Sequence, residues 1–61
     1  MTWNELTRLL IDVGYVFVKH GKKHDQYRNE ATGKIEMVER HSSQEVRPGL
    51  LNSIKKRAGL K

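Results

Sequence analysis

Tyr15-Val16-Phe17-Val18-Lys19-His20-Gly21-Lys22-Lys23-His24-Asp25-Gln26-Tyr27-Arg28 is the stretch that decides the fold. Its first four residues are a dense run of β-branched and aromatic side chains, too short for a helix and suited to a half-buried strand, with Tyr15 and Phe17 read as core. His20-Gly21-Lys22-Lys23 reads as a turn. From His24 to Arg28 a second strand runs back, with Asp25 and Tyr27 on one face and His24, Gln26 and Arg28 on the other. Beyond it, Asn29-Glu30-Ala31-Thr32-Gly33-Lys34 has the Asn and Gly that a hairpin loop wants, and Ile35, Met37 and Val38 suggest a third strand. The expected sheet is an antiparallel meander.

Each flank of the meander predicts a helix. Upstream, Thr2-x-x-Glu5 is a capping-box pattern, Trp3, Leu6, Leu9, Leu10 and Val13 recur at helical spacing, and Gly14 is a natural stop. Downstream, Arg40-His41-Ser42-Ser43-Gln44-Glu45 is polar and without period, an exposed loop with room for a single turn capped by Ser42. Pro48 suits the first position of a second helix whose apolar face is Leu50, Leu51, Ile54 and Ala58, closed by Gly59 and Leu60. The expected class is α+β, in the order α-β-β-β-α, with both helices on one face of a three-stranded antiparallel sheet and the other face open to a partner. At 61 residues the chain has room for one domain, residues 1–61, with a core marginal enough to want a partner as staple.

Twelve Lys plus Arg against seven Asp plus Glu give a formal charge of +5, which favours polyanionic partners, nucleic acid first. There is no cysteine, so disulfides and thiolate metal sites are excluded and a reducing cytoplasm fits. No apolar run approaches the roughly 20 residues of a membrane span, and Met1-Thr2-Trp3-Asn4-Glu5 does not open a signal peptide. The reading is a soluble cytoplasmic protein without membrane attachment.

Three histidines are the only side chains that titrate near neutrality, so acid-base chemistry would have to use them. His20 and His24 are four apart, a zinc spacing only on a helix, which Gly21 disfavours; no metal or cofactor is expected. A triad of Ser42, His41 and Asp25 lacks a strained nucleophile elbow. His24 is the sharper candidate. It follows a turn with two cations, Lys22 and Lys23, that would hold a phosphate within reach of the imidazole. RNA carries an internal nucleophile in its 2′-hydroxyl, so one imidazole that moves protons suffices to cleave the backbone. Spacing alone leaves open whether His24 does this or is a polar residue on a solvated strand face. Arg28 shares that face, Arg40 and His41 follow strand three, and Lys55, Lys56 and Arg57 either tune the helix dipole or touch phosphate.

Four stretches in order resemble the HicA toxins, the RNA-cleaving half of a bacterial toxin-antitoxin pair. They are Gly14-Tyr15-Val16-Phe17-Val18 after the opening helix, Gly21-Lys22-Lys23-His24-Asp25-Gln26-Tyr27-Arg28, Val38-Glu39-Arg40-His41-Ser42, and Arg47-Pro48-Gly49-Leu50-Leu51 through Ile54 to Ala58-Gly59-Leu60. The resemblance implies a double-stranded-RNA-binding-domain-like fold, metal-independent cleavage of mRNA and a HicB-type antitoxin. It places the family's catalytic histidine at His24; charge and placement make Lys22, Lys23, Arg28, Arg40, His41, Lys55 and Lys56 the candidate RNA ligands. Many members have Gly-Ser-His where this chain has Gly21-Lys22-Lys23-His24, and Pro where it has Glu39, a carboxylate able to orient a histidine. A non-catalytic RNA-binding module fits the charge and fold as well, and a domain that binds only protein is a third reading.

Overall fold

A computed structural model describes residues 1–40 and 43–60. The order is α1 (Trp3–Asp12), β1 (Tyr15–His20), β2 (His24–Asn29), β3 (Ile35–Glu39) and α2 (Pro48–Ala58), with the sheet ordered β1-β2-β3 and both pairings antiparallel. This is the expected α+β arrangement with an open three-stranded sheet. The single turn assigned to Ser42 lies outside the described residues.

Helix α1 begins where the capping box placed it. The Glu5 amide donates to the Thr2 hydroxyl at 3.2 Å and the Glu5 carboxylate accepts from the Thr2 amide at 2.9 Å, which holds the Glu5 carboxyl below its ordinary range. The helix gives way at Gly14, whose φ of +107° favours glycine. Against that turn lies Asn29, 6% exposed, whose Nδ2 donates to the Val13 carbonyl while its Oδ1 accepts from the Ala31 and Thr32 amides. One side chain thus ties the start of β1 to the β2–β3 loop.

Trp3, Leu6, Leu10, Tyr15, Val38, Val46 and Ile54 form the buried core, with Tyr27, Leu51, Ala58 and Leu60 packed against it. Three of the expected apolar helical positions fall outside: Leu9 is half-buried on α1, Val13 is exposed where α1 ends, and Leu50 is exposed on α2. Phe17 is a larger correction. It shares a sheet face with Tyr15, but Tyr15 is 1% exposed and Phe17 46%, because Phe17 lies farther along an edge strand than the helices cover. Strand β1 also runs two residues past Val18. An irregularity at Val18 lets Lys19 pair with Gln26 and His20 with Asp25, so His20 belongs to the ladder and not to the turn.

Among the described residues one carboxylate is buried. Glu36, 3% exposed, accepts from Arg57 Nε at 3.1 Å and Nη2 at 2.9 Å, a two-pronged pair that fastens β3 to the last turn of α2. Lys34 Nζ donates to the Arg57 carbonyl at 2.9 Å, adding a second tie. Tyr15 lies close enough for burial, then the Glu36 charge, to push its phenol up, and its hydroxyl has no hydrogen-bond partner among the described residues.

Candidate functional site

Strand alternation sorts the hairpin end into two faces. His24 pairs across β2–β3 with Glu39, on the same face as Gln26, Arg28, Ile35 and Met37; this is the side away from Tyr15 and Val38, and Ile35 and Met37 on it are about half exposed. On the opposite face His20 pairs with Asp25, and Asp25 with Val38. His20 and His24 are therefore back to back. Among the described residues no group of three or more His, Cys, Asp or Glu side chains could hold a metal ion.

The turn that presents His24 is closed by a hydrogen bond from the Gly21 amide to the His24 carbonyl at 2.7 Å. A Cβ on residue 21 would stand 2.8 Å from that same carbonyl oxygen, so the approach requires glycine for lack of space. The sequence marked Gly21 as a turn residue; the reason is this contact. Gly21→Ala is expected to force the turn open, lower the melting temperature by several degrees and displace His24. Thermal denaturation and the amide chemical shifts of residues 21–24 check it, and an unperturbed turn would count against it.

Around His24, half-exposed itself, lies an open cleft of about 460 Å³ lined by Lys22, Lys23, His24, Glu39 and Arg40. Lys22 and Lys23 are exposed, able to follow a phosphate. Glu39 Oε1 stands 3.7 Å from His24 Nε2, beyond hydrogen-bond length but within reach of orienting the ring. Three of the expected ligands, Lys22, Lys23 and Arg40, thus gather at His24. Arg28 lies on the same face four residues along β2, about 13 Å away at strand rise. Lys55 and Lys56 sit in the last turn of α2 and do not line this cleft. Arg57 donates both Nε and Nη2 to Glu36. His41, and with it the Ser42-His41-Asp25 grouping, lies outside the described residues.

In the sequence Asp25 figures as a strand residue on the face opposite His24 and as the acid of the weak Ser42-His41-Asp25 grouping. It is the hub of the other face: its Oδ1 lies 2.6 Å from His20 Nδ1 and accepts from Arg40 Nε at 3.1 Å. The hydrogen bond from His20, then the charges of His20 and Arg40, hold its carboxyl below the ordinary 3.8. A carboxyl lowered in the folded state contributes stability that is complete above the ordinary value and lost as pH falls through the folded one. The melting temperature should therefore drop as pH falls below about 4, and Asp25→Asn should flatten that acid limb. An identical acid limb in the variant would show that the hub contributes nothing.

A basic α+β domain with an open sheet face and a cation-flanked histidine at one end of it is the class that fold and site define. The family model described as "HicA toxin of bacterial toxin-antitoxin" matches residues 3–60, and the chain belongs to that family. Membership in a toxin-antitoxin family implies an antitoxin as partner. No curated protein and no solved structure matches the chain. Among the described residues no helix is long and apolar enough to cross a membrane.

Proposed function

We propose that residues 1–61 form a single-domain endoribonuclease of the HicA type that cleaves mRNA in the cytoplasm without a metal or cofactor and is neutralised by a HicB-type antitoxin. The observation that carries this reading is the half-exposed His24 in a cleft walled by Lys22, Lys23 and Arg40. Those cations balance the phosphate and the charge that grows on its oxygens as the bond breaks. The imidazole of His24 moves the proton to or from the 2′-hydroxyl or the leaving oxygen, acting as general acid or base. Glu39 orients the ring. Arg28 takes phosphates farther along the open face, Arg40 and His41 are lesser supports of RNA binding, and Lys55 and Lys56 add to the field that draws RNA in. The antitoxin covers the open sheet face, where Ile35 and Met37 are about half exposed beside His24 and Arg28.

The test is a defined RNA with one deoxyribose at the cut, assayed beside the all-ribose substrate with chelator present. The all-ribose RNA should be cut to a product with a cyclic phosphate, and the substituted RNA should resist at that position. Cleavage of the deoxy position at an equal rate would overturn the use of the 2′-hydroxyl. Loss of activity in chelator would overturn the metal-independent mechanism, and binding without cleavage of either RNA would favour the non-catalytic module.

A further inference from the structure

The chain has four aromatic residues besides its histidines, and three of them have structural work: Trp3 and Tyr15 are buried in the core and Tyr27 packs against it. Phe17 stays 46% exposed. Its ring is nonetheless held on two sides, 4.7 Å from the His20 ring centroid at a tilt of 55° and 5.8 Å from the Tyr27 ring edge-on. His20, 67% exposed, is itself fixed by Asp25, and Asp25 by Arg40. The result is a ledge of two exposed rings, ordered before any ligand arrives, whose one carboxylate is already compensated by a guanidinium.

We propose that Phe17 and His20 form a stacking subsite for one unpaired nucleobase of the RNA, on the face of the hairpin opposite His24. The proposal rests on the ribonuclease reading above and gives it a substrate class: single-stranded RNA, since a base inside a duplex has no face to offer a side chain. A strand crossing the turn passes from His24 along Lys22 and Lys23 to the ledge, so phosphates meet cations at the turn while a base meets rings beyond it. A surface that alternates cations with aromatic faces is the arrangement that grips a flexible polyanion without reading its sequence. Rigidity matters here, because a ring already locked by its neighbours loses little freedom when a base lands on it.

The probe is a single-stranded 2′-O-methyl RNA, which lacks the free 2′-hydroxyl and so remains intact, carrying the fluorescent base 2-aminopurine at each position in turn. Binding is followed by anisotropy and stacking by quenching, and cleavage of ordinary RNA by the unaltered chain is measured separately. Quenching is expected at one position or two neighbours; Phe17→Leu should weaken binding about tenfold and abolish the quench, while Phe17→Trp keeps both. Quenching at no position overturns the subsite without needing a variant, whatever Phe17→Leu does to folding. Unchanged affinity and quench in Phe17→Leu, with cleavage by the unaltered chain intact, overturns the subsite and leaves the ribonuclease reading standing. An unaltered chain that binds no RNA overturns both, and a Phe17→Leu effect seen only on antitoxin binding makes the ledge a protein contact and removes the subsite.

Discussion

Replacing His24 by Ala is expected to lower the rate of RNA cleavage by about 10²–10⁴-fold while leaving the circular dichroism spectrum and the melting temperature near those of the unaltered chain. The first half follows from chemistry: imidazole is the side chain most often used for proton transfer in general acid-base catalysis, and among the described residues lining the cleft His24 alone carries one. The second half follows from where the residue's structural contacts lie. The turn depends on the carbonyl of His24, which accepts from Gly21 at 2.7 Å, and alanine supplies the same carbonyl. The imidazole is 42% exposed and belongs to no part of the core, so its removal leaves no cavity. A variant that cleaves at the unaltered rate would remove His24 from the mechanism.

The meander, both helix caps and the lysine turn before His24 could be read directly, because each is a local pattern: alternation, a capping box, a glycine between strands. What escaped is what depends on residues far apart in the chain. Alternation gives the face of Phe17, but the length of sheet that two short helices cover is a packing outcome, and so its exposure was missed. Asp25 shows no sign in the sequence of holding both His20 and Arg40, since the Val18 irregularity that brings His20 into register leaves no residue signature. Asn29 was legible as a loop residue and not as a buried tie to Val13 sixteen residues upstream. Glu36 carried a usable signal, a carboxylate alternating with Ile35 and Met37 and sharing the face of Val38, and Arg57 offered two readings. Only the fold joins the two residues, twenty-one positions apart.

Arg57→Ala is expected to have the largest effect on stability of any single surface change in this chain. The guanidinium is 54% exposed while the carboxylate it holds is 3% exposed, so truncating an outer residue strips the partner from a buried charge. Such a loss costs about 3 kcal/mol here, at the low end for buried pairs because water reaches the arginine side. A domain of this length has roughly 3–9 kcal/mol in total, at about 0.05–0.15 kcal/mol per residue. A large share of the protein should then be unfolded under mild heating, and urea denaturation should show a midpoint far below that of the unaltered chain. Removing the charge together with its partner tests the cause. In Glu36→Leu/Arg57→Leu no ion is left buried, and much of the lost stability should return, whereas two independent contacts would give losses that add. The same variants separate structure from substrate binding. Because Arg57 is spent on Glu36, the salt dependence of RNA affinity in the folded double variant should match that of the unaltered chain, while each phosphate ligand removed would lower the slope by about one. An Arg57→Ala protein of undiminished midpoint and reduced salt slope would reverse the assignment and return Arg57 to the RNA.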